Sequence, residues 1–365
     1  MILLSEILGN LWIFLVIFLQ ILILIGFFIP YKVNKIKKQQ PVSIIIAAWN
    51  EESKIKKCVN SILKQNYKNK IEIIVVGGGE DNTVKVCRNL SKEKKIKFIH
   101  EKKRMGKWFS LNKGVKIAKN RLLVFLDADC VVGKNWLKNM VHSMKNIDIG
   151  SSRLVPITEN NFIGKCSSIL AILLFYSSKN LFNFFNIGSY FGTGNIVKKS
   201  VFKKIKFKKS LLEDCRFGLD AKKAGFRLGV IKDAICYFSV SKNLDNLKKQ
   251  GLRWIYGGYS EILLEKNFLS IFLIVFSFSL FLGLPFYIYN IVFLDSFTII
   301  TTSIFLIFLL VIILFCSIKE KSRKYALYIP YLFFIILFFL IIILEVILRI
   351  LLKKEPKWYT IQKTM

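Results

Sequence analysis

Four stretches of the chain, residues 7–29, 268–291, 297–318 and 326–350, are nearly unbroken runs of Ile, Leu, Phe and Val. Each is about as long as the roughly 20 residues an α-helix needs to cross a ~30 Å hydrocarbon core. Between the first two runs lies a long segment, Lys32 to Lys266, with ordinary globular patterning. The expected layout is an anchor in residues 1–31, one globular domain in 32–266, about three helices in 267–352 and a basic tail in 353–365. The segment ahead of the first run carries Glu6 and no Lys, and no small-residue cleavage site precedes Pro30, so an uncleaved anchor is expected rather than a signal peptide. Composition agrees: 53% of the 365 residues are hydrophobic and mean hydropathy is +0.46, greasier than a soluble domain of this size.

Net charge is +33. Its Lys residues are spread singly and in pairs along the whole globular segment, without the clustered basic and aromatic residues of a nucleic-acid-binding element, so no nucleic-acid partner is expected. A Lys-rich cytoplasmic face beside anionic lipid accounts for the charge. By the same rule the segment after residue 31 and the loop Lys319–Lys324 belong inside. Four full crossings would then place Lys353, Lys354 and Lys357 outside, so either one run is re-entrant or interfacial or the rule fails here. The seven cysteines are scattered with no C-x-x-C pair, which signals neither a zinc site nor a disulfide framework. His100 and His142 have no partner pattern around them, so histidine chemistry is not expected.

Within the globular segment Pro41 opens a β-branched strand at Val42–Ile46, followed by helical spacing at Ile55, Val59, Ile62 and Leu63. A strand at Ile71–Val76, a helix at Thr83–Leu90, a strand near Ile96–Ile99, a helix at Phe109–Lys119 and a strand at Leu122–Leu126 continue the alternation. Strands alternating with helices predict an α/β nucleotide-binding sheet, parallel or mixed, whose ligands collect at the carboxyl ends of the strands. Trp49-Asn50, the turn Gly77-Gly78-Gly79 and Asp127-Ala128-Asp129 all follow predicted strands.

Asp127 and Asp129, one residue apart at a strand end, are placed to share Mg²⁺ or Mn²⁺ and, through it, the diphosphate of a nucleotide-linked substrate. Glu213-Asp214 offers a carboxylate as general base where no histidine is placed for it, although an acid pair at a helix N-terminus is an equally ordinary explanation. Gln250, Arg253 and Trp254 combine a bidentate phosphate grip with a flat aromatic face, or form an interfacial Arg-Trp pair. Gly106-Lys107 opens a helix where a Lys can meet phosphate.

In order along residues 41–257, these motifs resemble family 2 glycosyltransferases, inverting enzymes with an A-type fold. The resemblance rests on Val42–Glu52, Gly106-Lys107 with Leu111-Asn112 and Gly114, Asp127/Asp129, Gly192-Thr193-Gly194-Asn195, Glu213-Asp214 and Gln250…Arg253-Trp254. It implies a hexosyltransferase whose Asp127 and Asp129 hold the metal and whose Asp214, beside Glu213, activates the acceptor hydroxyl. Trp49, Asn50, Glu51 and Lys107 would contact the donor; Gly194, Asn195, Gln250, Arg253 and Trp254 would lie near acceptor and diphosphate, the last three as in the Q-x-x-R-W of cellulose, chitin and hyaluronan synthases. Where the family ends its second strand in Asp residues that read uracil, this chain has Gly77 and Gly78, with Glu80 or Asp81 as substitutes in the same turn. UDP is the expected donor nucleotide and GDP the second choice. The aromatic-rich stretch 162–191 reads either as an interfacial helix or as a buried one. The acceptor expected is a lipid or lipid-linked molecule at the cell membrane, met by a cytoplasmic catalytic domain. A processive polysaccharide synthase is the alternative, and a non-catalytic membrane scaffold the alternative of another class.

Overall fold

Buried strands with β-branched residues on both faces form the centre of this fold, because only helices laid on each side of a sheet can cover them. The structure is a computed structural model describing residues 39–93, 95–157, 160–185, 192–265, 296–319 and 329–352, with isolated positions 14, 17, 18, 21, 24, 25 and 327. The chain divides into two compact units: one comprises Tyr31–Glu159, Asn186–Ser241 and Lys363–Met365, the other Met1–Pro30, Asn160–Phe185 and Lys242–Gln362.

The first unit holds an eight-stranded mixed sheet. Its elements are β1 (Val42–Trp49), α1 (Ile55–Leu63), β2 (Ile71–Gly78), α2 (Thr83–Lys92), β3 (Lys97–His100), α3 (Lys107–Ile117) and β4 (Leu122–Asp127), as the hydrophobic periodicity predicts. Then follow β5 (Val131–Val132), α4 (Trp136–His142), β6 (Ile149–Ile157), β7 (Asn195–Lys198), a 3₁₀ turn (Lys199–Lys203), α6 (Glu213–Lys223) and β8 (Leu228–Ser239); α5 (Phe162–Phe185) belongs to the other unit. The strand order is β3-β2-β1-β4-β7-β6-β8-β5. Strands β3, β2, β1 and β4 run parallel, β7 is antiparallel to both β4 and β6, and β8 is parallel to β6.

Alternation along β1 divides the core. Ile44 and Ile46 face a cluster with Val124, Leu126 and the apolar stripes of α1 and α4, while Ile45 faces Ile74, Val76, Leu123, Phe125 and α3. Helix α3 lies close against β1 because Gly114 meets Ile45, where a Cβ would stand 2.4 Å from Ile45 Cγ2. Leu63, expected on the apolar face of α1, is 46% exposed, because it ends the helix beyond the last turn covered by the sheet. On the α3 side, Phe207 stacks on Phe217 at 4.4 Å and meets Phe125 edge-on at 5.1 Å, which fixes α6 to β4.

The second unit is helical: α5, α7 (Leu244–Glu265), α8 (Ser296–Lys319) and α9 (Ile329–Leu351). Its core joins Cys166, Ile169 and Leu170 of α5 to Leu247 and Leu252 of α7, Ile313 of α8, and Ile335, Phe338, Ile342 and Val346 of α9. Glu345 of α9 pairs with Lys248 of α7 at 2.9 Å and with Arg349 at 2.7 Å. The stretch 162–191, with two readings from sequence, is helical to Phe185 and packs one face into this core. Runs 297–318 and 326–350 correspond to α8 and α9; runs 7–29 and 268–291 lie outside the described residues, save isolated positions in the first. Among the described residues no helix is long and apolar enough to cross a membrane.

Candidate active site

The carboxyl ends of β1, β2 and β4 converge on one edge of the sheet, and the turns that leave them carry the polar residues. After β1, Asn50 adopts φ +57°, a left-handed conformation that Asn tolerates better than most side chains. Its Oδ1 accepts from the N–H of Glu80 at 2.9 Å. The N–H of Glu51 donates to Thr83 Oγ1 at 2.7 Å. Asp81 spends both carboxylate oxygens on backbone, accepting from the N–H of Glu52 at 3.2 Å and of Thr83 at 2.9 Å. The β1 and β2 turns are thereby stitched into one platform, and Asp81, expected to meet the nucleotide, serves here as a turn clamp. Glu80 remains exposed in the same turn.

Gly77 and Gly78 occupy positions with no room for a side chain. A Cβ on Gly77 would stand 1.7 Å from the carbonyl oxygen of Ala48, and one on Gly78 would stand 2.2 Å from that of Glu101 and 3.1 Å from Trp49 Cζ3. The N–H of Glu101 donates to the carbonyl of Gly77 at 2.7 Å, which draws the chain after β3 tightly over this strand end. Trp49 is half-buried beside Gly78.

At the end of β4, Asp127 and Asp129 stand on a tightly bonded turn. The N–H of Asp127 donates to Thr193 Oγ1 at 2.9 Å, the Cys58 thiol donates to the carbonyl of Asp127 at 3.5 Å, and the Cys130 thiol donates to Asp129 Oδ1 at 3.8 Å. Burial first, then neighbouring Cys236, Asp129 and Asp127, push the Cys58 thiol well above its usual range. A hydrogen bond with Cys236, together with burial, does the same for Cys130. Both therefore stay protonated and act as donors behind the carboxylates. Thr193 had no role assigned from sequence; its signal is a single hydroxyl between two glycines, small enough to let the segment lie against β4.

Lys107, the first residue of α3, joins the parts. Its Nζ lies 2.8 Å from Asp127 Oδ1 and 3.1 Å from Glu213 Oε1, and donates to the carbonyl of Gly192 at 3.2 Å. Burial works against its charge, but Asp127, Glu213 and Asp214 outweigh it and hold the ammonium well above the ordinary lysine range. Asp214, in the first turn of α6, brings its Oδ2 within 2.8 Å of where a Gly192 Cβ would be. The structure thus gathers Lys107, Asp127, Glu213 and Asp214 at one place, with Asp129 on the same turn as Asp127. Gly194 and Asn195 are buried at the start of β7, and Asn195, with no accessible surface, faces protein on all sides. Gln250, Arg253 and Trp254 belong to α7 of the helical unit, where Arg253 is exposed and Trp254 packs partly against the core.

The donor set fits a divalent cation completed by substrate. Among the described residues no group of three or more His, Cys, Asp or Glu side chains converges on a metal position. Mg²⁺-type sites that bind phosphates need only one or two carboxylates and fill the rest with water and substrate oxygen. That Asp127 already attracts an ammonium shows the position favours a cation.

Residues 43–206 match the sequence profile described as Glycosyl transferase family 2. A poly-β-1,6-N-acetyl-D-glucosamine synthase of Staphylococcus aureus (strain COL) is 26% identical over 255 residues, covering 66% of this chain and 61% of the relative. The synthase of the same name from Staphylococcus epidermidis is 25% identical over 232 residues, covering 61% and 55%. The chain thus spans about three fifths of the length of these curated relatives. Among solved structures, a mannosyltransferase from Pyrobaculum calidifontis, in complex with GDP-Man and Mn²⁺, superposes with a TM-score of 0.66 over 97% of this chain and 99% of that one at 14% identity, a likeness of fold. The stretch that carries Asp127, Asp129 and Lys107 is therefore similar to glycosyl transferase family 2 over residues 43–206.

Proposed function

We propose that the chain is a membrane-bound, inverting glycosyltransferase that moves a hexose-type sugar from a nucleotide-sugar donor to an acceptor at the membrane. The observation that carries this reading is the convergence of Lys107, Asp127, Glu213 and Asp214 at the carboxyl edge of a sheet matching a glycosyl transferase family. Asp127 and Asp129 would hold Mn²⁺ or Mg²⁺, which when bound supplies positive charge to the departing diphosphate. Trp49 would lie against the base, and Lys107 would face the diphosphate. Asp214 would take the acceptor hydroxyl proton as the acceptor oxygen bonds to the sugar's anomeric carbon and the bond from that carbon to the diphosphate breaks. A single displacement of this kind inverts the anomeric centre. UDP stands ahead of GDP as donor nucleotide; with Asp81 committed to the turns and no room at Gly77 or Gly78, base contacts would come from Trp49 and backbone.

Membrane attachment is part of the proposal, supported by the four apolar runs and by the apolar side chains that α8 and α9 expose, among them Ile300, Ile307, Leu314, Ile341 and Leu348. A lipid or lipid-linked acceptor suits such a protein. The synthase relatives favour a second reading, in which the acceptor is a growing polysaccharide.

Membranes carrying the full chain, incubated with UDP- and GDP-sugars plus Mn²⁺ or Mg²⁺, test both. Transfer is expected to depend on the metal and to fall by about a hundredfold or more in Asp129→Ala and Asp214→Asn. An organic-extractable product assigns the lipid acceptor, and a precipitable polymer assigns the polysaccharide. Transfer that survives both substitutions would remove the site assignment.

A further inference from the structure

One ammonium group ties together the two acidic elements of the site. The three N–H groups of Lys107 find three oxygens, on Asp127 of β4, Glu213 of α6 and Gly192 ahead of β7. Glu213 is only 13% exposed and Asp127 32%, so water screens this contact less than it would a surface pair. Asp127 is also a carboxylate expected to hold the divalent ion. An ammonium at 2.8 Å and an ion at about 2.1 Å would compete for its charge.

We propose that Lys107 is a displaceable internal cation, which competes with the divalent ion for Asp127 and moves onto the donor diphosphate when ion and donor bind together. This rests on the transferase reading and adds a property to it: the ion alone binds weakly, and ion and nucleotide bind cooperatively. The physical reason is exchange of partners. Without a diphosphate, an ammonium that gives up Asp127 loses an anion and gains none. With a diphosphate present it gains one, so the ion's entry no longer leaves Lys107 short of negative charge. Glu213 loses its grip on Lys107 in the same exchange, which releases the first turn of α6, where Asp214 stands, as the donor arrives.

The test is direct Mn²⁺ binding to the purified full chain, followed by electron paramagnetic resonance of free Mn²⁺. Without nucleotide, Lys107→Met is expected to bind Mn²⁺ about tenfold tighter than wild type, and Lys107→Arg to stay near wild type. Adding UDP or GDP should tighten the wild type more than Lys107→Met. The tightening caused by Lys107→Met should vanish in the double variant with Asp127→Asn. Equal or weaker Mn²⁺ binding by Lys107→Met, or a gain that persists without Asp127, overturns the proposal. If Lys107→Met does not fold, Lys107→Gln keeps donors in place of the charge; Mn²⁺ should raise its thermal unfolding midpoint more than that of wild type, and an equal shift overturns the proposal. Sugar transfer by a wild type whose Lys107 variants bind Mn²⁺ no tighter removes the competition while the transferase stands. Lys107-dependent Mn²⁺ binding in a protein that transfers no sugar keeps the competition and removes the transferase.

Discussion

At the scale of single residues, the second strand's end is governed by backbone proximity. Gly77 lies so close to the carbonyl of Ala48 that even a methyl group cannot enter without moving β1 from β2. Both strands are core, so Gly77→Ala is expected to destabilise the fold by about 3 kcal/mol, the upper range for overpacking. Gly133→Ala is the matched control: its Cβ would have no neighbour nearer than Ile235 O at 3.8 Å, an ordinary contact. Denaturant titration of both variants checks this, and equal midpoints would show that the strand end relaxes freely. The same crowding explains a departure visible in the sequence. Gly77 and Gly78 stand where the family resemblance leads one to expect acids; the sequence shows the glycines, and the packing of Glu101 over the strand explains them. The turn-clamping part that Asp81 plays was not legible for a related reason: hydrogen-bond demand in two neighbouring turns is a tertiary property, invisible until Glu52 and Thr83 are seen beside it.

At the scale of elements, the parallel half of the sheet was legible and the antiparallel half was not. Runs such as Ile44-Ile45-Ile46 and Leu122–Leu126 are buried on both faces, which makes them continuous, apolar and easy to read. Strand β6 contains Ser151, Ser152 and Arg153, β8 contains Lys232 and Asp233, and β7 has only four residues, so no period of two marks them. Their alignment depends instead on polar ties. Asp148, just before β6, accepts from Lys198 Nζ at the end of β7 at 2.9 Å and from the N–H of Arg227 before β8 at 3.0 Å. Burial pushes its carboxyl upward, but Lys198 and Arg227 outweigh this and hold it below the usual carboxylate range. A carboxyl depressed by folding stabilises the native state above its unfolded value, about 3.9, and that contribution is lost as pH falls through the lower folded value. Asp148→Asn is therefore expected to cost about 1 kcal/mol at pH 7. The deficit should close as pH falls below the carboxylate range. Unfolding midpoints of both proteins at pH 7 and in acid would show it, and a deficit unchanged in acid would mean that the charge contributes nothing. The active site follows the same division. Asp127 and Asp129 follow a legible strand, but the meeting of Asp127 and Glu213 on the Lys107 ammonium depends on β7 lying beside β4 and on Phe217 anchoring α6, through the stack of Phe207 and Phe217.

At the scale of the whole molecule, two kinds of chemistry share one chain: a sheet unit whose edge gathers charge, and a helical unit whose described helices turn apolar side chains outward. Arg253 and Trp254 sit on α7, in the unit built from apolar helices, whereas Lys107, Asp127 and Asp214 sit in the sheet unit. If the proposed transfer draws on Arg253, as the resemblance implies, it depends on α7, which Lys248–Glu345 ties to α9 within the helical unit. That ion pair links α7 to α9 within a largely apolar unit; Glu345→Lys sets like charge against both Lys248 and Arg349, and adding Lys248→Glu restores attraction between the two helices while Arg349 stays opposed. Glu345→Lys alone is expected to lower transfer by about tenfold or more, and Lys248→Glu with Glu345→Lys to recover part of it, judged by product formed per unit of protein retained in the membrane. The proposed attachment is checked in the same preparation: wild type and double variant should both remain with the membrane after an alkaline wash that strips peripheral proteins. Release of the wild type by that wash would show that α8, α9 and the other apolar runs bury their surface within the protein, and the membrane reading would fall. Retention with no recovery in the double variant would instead separate anchoring from catalysis, leaving α7 attached to α9 by its apolar contacts through Leu247 and Val346 and giving the ion pair no part in holding Arg253.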